Sequence, residues 1–210
     1  TLSRRGLLAT TGALSLAGVL TACADTGADG KAVASSSASD ADYDKAINSG
    51  PVAAADVVAA SPWAASVKQA KKLVTGGTKT SEVFSWEDSK TKKISGFDAA
   101  IAQALARYII GGDDARSLLE VQQVTSETRE TVLTNGTVKA VIATYTITPE
   151  RAKKIDFAGP YYASSQAILV KADNKDITGV DTLTGDVAVQ SNSSSAAALK
   201  KYAPKATAKP

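Results

Sequence analysis

Two hydroxyls and one guanidinium stand close together in Ala143-Thr-Tyr-Thr-Ile-Thr-Pro-Glu-Arg151. Thr144 and Thr146 close an apolar run, and Arg151 follows one short turn later. A carboxylate takes several donors at once and favours the two-pronged guanidinium, so this spacing suits carboxylate binding. A purely structural Arg151 is the competing reading. A second hydroxyl-rich stretch, Ser191-Asn-Ser-Ser-Ser195, precedes a helix expected from about Ala196. Amides in a first helical turn lack intrahelical partners, so such a loop can cradle an anion or can merely cap a solvated helix.

Composition narrows what those groups can do. There is no histidine, which removes imidazole general bases, Ser-His-Asp triads and His-ligated zinc from this chain. Cys23 is the single cysteine, so no internal disulfide is available. No covalent chemistry and no cofactor are expected. A net charge of +3, from 24 basic and 21 acidic side chains, is scattered without a basic stripe, which argues against nucleic acid as a partner. The 210 residues, 44% of them hydrophobic, suffice for one sizeable domain or two small lobes. Methionine is absent and the chain stops after Lys209-Pro210, so a fragment at both ends is expected.

The elements that must position these groups follow from the patterning. Residues 1–23 read as an export signal: Ser3-Arg4-Arg5, an apolar run from Leu7 to Leu20, then Leu20-Thr-Ala-Cys23. The last four match the lipobox of bacterial lipoproteins, which predicts a lipid on Cys23; a short membrane anchor is the alternative. Ser-Arg-Arg-Gly-Leu-Leu also looks like a twin-arginine signal, so the export route stays open. Residues 24–61, rich in Ala, Ser, Asp and Gly, predict a flexible tether with some helix in the second half. Folded structure is expected from Ser61-Pro62, a helix cap followed by proline at the first position. Strands are then expected at 72–76, 118–124 and 138–143. Between them lie a loop at 79–86, a helix burying Phe97, Ile101, Leu105, Tyr108 and Ile109 on one face, and a short helix capped by Ser126. This alternation predicts an α/β fold with a mainly parallel sheet, whose ligand sites lie beyond the C-terminal strand ends. Gly76-Gly77, Thr125-Ser126 and Thr144–Thr146 all fall there. A second unit should begin near Gln166, with strands at 167–171 and 187–190.

From residue 72 to residue 210 the chain resembles the type II periplasmic binding proteins of the polar amino-acid family. Gly96-Phe97-Asp98, Thr144-x-Thr146, Pro149-Glu150-Arg151 and Asp156-Phe157-x-x-Pro160-Tyr161 carry the resemblance, in family order. Ala100 departs from a position that is often acidic, and Asn192 from one that is usually glycine. The resemblance implies a two-lobed fold, lobe 1 over 62–165 and an incomplete lobe 2 over 166–210, closing about a hinge near 162–166. Within the family the pattern is most similar to glutamate/aspartate binders. This implies that Arg151 and Thr146, with Ser193 and Ser194 closing over them, hold the ligand's α-carboxylate. Thr144 would accept from its α-amino group, and Lys79 and Arg129 would hold its side-chain carboxylate. The competing readings put Arg129 on a helix surface paired with Glu127 or Glu130, and Lys79 on a surface loop. Glu82 is a loose candidate to orient Lys79. The aspartate that neutralises the ligand's ammonium would lie beyond Pro210, so residues 1–210 alone are expected to fold the first lobe poorly and to bind little or nothing. The implied function is extracytoplasmic capture of an acidic amino acid by a monomeric, lipid-anchored protein that serves an ABC permease. A ligand-sensing lipoprotein and a binder of another polar amino acid such as glutamine stay open. An enzyme like the periplasmic dehydratases of the same fold would need a carboxylate acid/base, for which Glu82 is the cleft candidate.

Overall fold

The computed structural model describes residues 39–210. The export signal, Cys23 and the first part of the expected tether therefore lie outside the described residues. The second part of that tether is folded. Helix α1 (Asp40–Asn48) is capped by the Ser39 hydroxyl, which accepts from the Asp42 amide at 3.1 Å, and helix α2 (Ala55–Ala59) follows. Low apolar content suggested a tether, but the few large apolar side chains are well placed. Ile47 and Val58 are 2% and 4% exposed. Among the described residues, helical structure is thus already present from α1, ahead of Ser61. Helix α3 (Pro62–Ala70) is capped as expected, Ser61 accepting from the Ala64 amide with Pro62 in the first turn.

Strand β1 (Leu73–Gly77) is the centre of lobe 1. It pairs in parallel with β5 (Leu119–Gln123) on one side and β6 (Ala140–Val141) on the other, giving the order β5-β1-β6. Gly76 and Gly77 allow this close packing: a Cβ on Gly77 would lie 2.9 Å from the Val121 side chain. The expected loop at 79–86 instead contributes to a small antiparallel sheet, β2 (Thr80–Ser81), β3 (Ser85–Glu87) and β4 (Ile94–Ser95). Strands of two or three residues leave too little alternation to be read from sequence.

Helix α4 (Phe97–Ile110) buries only part of the face expected: Ile109 is in the core and Leu105 packs against it. Asp98, Ala99, Ala102, Gln103, Ala106 and Ile109 point inward, while Phe97, Ile101 and Tyr108 are 36–41% exposed. Small side chains win this face because the helix lies close against its neighbours, whose Val58, Val67 and Leu73 share one cluster with Ala106 and Ile109. The start of α4 is drawn tightly onto the β2–β3 loop. Gly96 has φ +116°, and a Cβ there would lie 2.6 Å from the Phe84 carbonyl. The Phe97 and Ala99 amides donate to the carbonyls of Val83 and Phe84.

Helix α5 (Arg129–Thr134) and helix α6 (Pro149–Ala152) complete lobe 1. The chain from 162 to 179 is irregular and largely exposed, so the strand expected at 167–171 does not form; Leu169 there is 98% exposed. An apolar run makes a strand only where a neighbour supplies the ladder. Lobe 2 is built on β7 (Gly185–Ala188), α7 (Ser195–Tyr202) and β8 (Ala206–Lys209), the strands pairing in parallel with α7 as their crossover. Strand β8 was not expected; its Ala-Thr-Ala-Lys carries little apolar signal.

Candidate ligand-binding site

The loops after β1, β5 and β6 carry most of the expected groups, and the local sequence explains their aim. After β5, Thr125 and Thr128 bond reciprocally: Thr125 Oγ1 accepts from the Thr128 amide (3.3 Å) and Thr128 Oγ1 from the Thr125 amide (2.9 Å). Thr128, not Ser126, is the residue that precedes α5. This turn starts the helix at Arg129 and points its side chain inward. Arg129 is 5% exposed, Nη1 donates to the Ala143 carbonyl at 3.1 Å, and the guanidinium lies 3.9 Å from the Tyr145 ring centroid. Its Nε has no hydrogen-bond partner among the described residues. The helix-surface reading fails, because Glu130 is taken by Lys154 at 2.7 Å and by the Tyr145 hydroxyl at 3.3 Å. Burial, and then the nearby Arg151 charge, lower the proton affinity of Arg129, but an arginine stays cationic.

Arg151 is placed by α6. The Thr148 hydroxyl accepts from the Arg151 amide at 3.3 Å, with Pro149 in the first turn. From there Nη1 donates to the Thr146 carbonyl (2.8 Å) and Nη2 to the Asn192 carbonyl (2.9 Å) in the loop before α7. Its guanidinium also lies 4.5 Å from the Tyr145 ring centroid. The Thr146 and Ser194 hydroxyls are 3.2 Å apart. The hydroxyl–arginine cluster of lobe 1 and the serine loop of lobe 2 are thus joined. Asn192 has φ +57°, a conformation asparagine adopts more easily than most residues, which accounts for its standing in a glycine position. Ser193 serves its own turn, its hydroxyl accepting from the Ser195 amide at 3.1 Å.

Thr144 lies beside these groups with φ +48°. Its amide donates to Asp98 Oδ2 at 2.9 Å, and Asp98 Oδ1 accepts from the Tyr161 hydroxyl at 3.0 Å. Lys79 is held in an ion pair with Glu87 at 2.8 Å. Glu87, not Glu82, is the acid that orients it; Glu82 is exposed. Phe84 meets Tyr162 edge-on at 5.3 Å, and Phe97 packs on Tyr161 and Tyr162, so these aromatics bind the start of α4 to the interlobe segment. Tyr145 and Asp98 were missed as site residues. The tyrosine sits between two hydroxyls that drew the attention, and the aspartate reads as an ordinary acid in a first helical turn. An open cavity of about 280 Å³ lined by Lys92, Ile94, Gln103 and Arg116 shares no residue with this site.

The structure thus gathers donors at the strand ends of a parallel sheet, facing a serine loop of a second lobe. Residues 73–209 match the bacterial extracellular solute-binding proteins, family 3, and the chain belongs to that family. It is 37% identical over 139 residues to the glutamine-binding protein of Geobacillus stearothermophilus, covering 66% of this chain and 52% of that protein. It is 34% identical over 113 residues to a glutamate-binding protein of Corynebacterium efficiens, covering 52% and 38% respectively. The chain spans about half the length of the curated glutamine-binding relatives it matches. Among solved structures it is similar to an ancestral amino acid-binding protein, a precursor of cyclohexadienyl dehydratase. That similarity has 31% identity and a TM-score of 0.60, over 70% of this chain and 64% of the other.

Proposed function

We propose that this protein captures an acidic amino acid outside the cytoplasm and hands it to an ABC permease, without covalent chemistry. The observation that carries this reading is the pair of guanidiniums, Arg129 and Arg151, packed against one ring, Tyr145, beside the Thr146 hydroxyl. Two like charges so close repel, and Arg129 is additionally buried. Such a pair is favourable once anionic groups enter between or beside it. A dicarboxylate amino acid supplies two: one for Arg151 with Thr146 and the Ser193–Ser194 loop, the other for the Arg129 guanidinium. Thr144 would meet the amino group. Micromolar affinity, about −8 kcal/mol, asks less than about 1 kcal/mol from each of roughly ten ligand atoms, within reach of a small charged ligand.

The Lys79–Glu87 ion pair favours a second reading. With Lys79 neutralised, the side-chain end of the pocket keeps one cation, and that would equally suit the amide oxygen of glutamine. The glutamine-binding and glutamate-binding relatives support each reading in turn. Calorimetry of the full-length mature protein against L-glutamate, L-glutamine and the other common amino acids decides. A preference for glutamate sustains the first reading, a preference for glutamine the second, and binding of neither rejects both.

Delivery at the cell surface would rest on the lipid at Cys23, which lies outside the described residues, with the protein acting as a monomer. Cys23→Ser should abolish labelling by a fatty-acid analogue, and labelling that persists in this variant would refute the anchor.

A further inference from the structure

Asp98 is a carboxylate 1% exposed at the start of α4, and neither of its oxygens serves that helix. An acid in a first helical turn ordinarily faces solvent and favours its own helix end. Here the first-turn amides of Phe97 and Ala99 already donate to Val83 and Phe84. Asp98 spends Oδ2 on the Thr144 amide and Oδ1 on the Tyr161 hydroxyl, partners far away in sequence. Burying a carboxylate is costly, and burial does raise its proton affinity. An apolar side chain would fill the position at lower cost, so the carboxylate is explained only by what it holds.

What it holds is a turn that needs holding. Thr144 is β-branched and sits at φ +48°, a region such residues rarely occupy without outside support. Its neighbours on both sides serve the guanidiniums: the Ala143 carbonyl accepts from Arg129, and the Tyr145 ring lies under Arg129 and Arg151. If Thr144 relaxed to an ordinary backbone conformation, both would swing away together. Tyr161, the other partner, lies in the segment leading to lobe 2, stacked on Phe97.

We propose that Asp98 is a positioning residue of the ligand site: it locks Thr144 in the left-handed conformation, which aims Ala143 and Tyr145 at the two arginines, and it ties that turn to the interlobe segment through Tyr161. The inference deepens the amino-acid-binding reading and rests on it for its effect on affinity. Its geometric part stands separately.

The test uses the full-length protein, with L-glutamate and L-glutamine as probes, and follows the Thr144 amide by NMR. An amide donating to a buried carboxylate resonates well downfield. Asp98→Ala should move that resonance upfield and weaken whichever probe binds by about ten- to a hundredfold, the range for a buried donor left without its partner. Asp98→Asn keeps an acceptor for Thr144 and a donor towards Tyr161, so it should recover affinity to within about threefold. Tyr161→Phe, which removes only the hinge tie, should weaken binding several-fold and shift the Thr144 resonance slightly. If Asp98→Ala does not fold, the Asp98→Asn and Tyr161→Phe variants decide: loss of affinity in the first, or wild-type affinity and an unmoved Thr144 resonance in the second, overturns the proposal. A folded Asp98→Ala with wild-type affinity and an unmoved resonance overturns it too. If the wild type binds neither probe, the functional reading fails, and the Thr144 resonance alone decides the positioning role.

Discussion

Arg151 has one task in the structure, and its substitution tests for a second. Its guanidinium already links the Thr146 and Asn192 carbonyls across the two lobes. If it also holds the ligand carboxylate, Arg151→Ala should cost about 2–5 kcal/mol of binding free energy, taking a micromolar site towards millimolar. Near-native affinity by calorimetry would leave it a purely structural clamp. Arg129 should act on choice and not on capture. Arg129→Gln should weaken glutamate more than glutamine and narrow their ratio by about 2 kcal/mol, the worth of one charge-assisted bond. Asp98 gives a pH signature. Burial raises its carboxyl above the ordinary range, with the Thr144 amide and the Tyr161 hydroxyl, its facing titratable neighbour, opposing in part. The folded state then binds the proton more tightly than the unfolded one, so this group removes stability as pH rises above the ordinary carboxylate value and contributes nothing below it. Asp98→Asn should therefore melt no lower than wild type at neutral pH. Any gap between the two should close as pH falls to about 3.5, and a gap that widened would contradict a buried, destabilised charge.

At the scale of elements, the N-terminal helix is the surprise. Helix α1 packs on α4 with Ile47 buried, and the Tyr43 hydroxyl reaches the Gly96 carbonyl (3.2 Å) and Gln103 Oε1 (2.8 Å). Burial pushes the Tyr43 hydroxyl up to about 12, and the Arg116 guanidinium over its ring opposes this. Arg116 also ion-pairs with Asp44. The helix thus braces the end of α4 from which Asp98 reaches Thr144. Ile47→Ala should cost about 2–5 kcal/mol, lowering the melting temperature by roughly 5–15 °C. A mere tether would show no change. The Gly96 backbone has φ +116° and no room for a side chain beside Phe84. Gly96→Ala should destabilise by about 2 kcal/mol or more, measured by urea unfolding.

For the whole molecule, the bridge between lobes is polar: Arg151 to Asn192 and Thr146 to Ser194. A ligand that joins this bridge stabilises the closed arrangement only to the extent that it binds the open one less well. A heat-denaturation scan of the full-length protein should therefore rise with L-glutamate or L-glutamine, whichever binds. Saturation at about a hundredfold over Kd would add about 2.7 kcal/mol. No rise with either would reject both ligand readings.

Much of this was written along the chain because it depends on neighbours in sequence. Alternation of apolar runs with capped helices placed β1, β5 and the helices after them, Ser61-Pro62 marked a helix start, and Thr144-x-Thr146 with Arg151 marked the donor cluster. The membership of family 3 follows from the same ordered motifs. Tertiary packing decided what those positions face. Lys79 and Arg129 look alike as cations after strands, yet Glu87 holds one at the surface while the start of α5 buries the other against Tyr145. Phe97 and Ile101 carry the apolar signal of α4, yet its alanines form the buried face, since only small side chains allow so close an approach. Asp98 shows the limit most plainly. A carboxylate in a first helical turn has no local sign of its partners, and only the fold brings Thr144 and Tyr161 to its two oxygens.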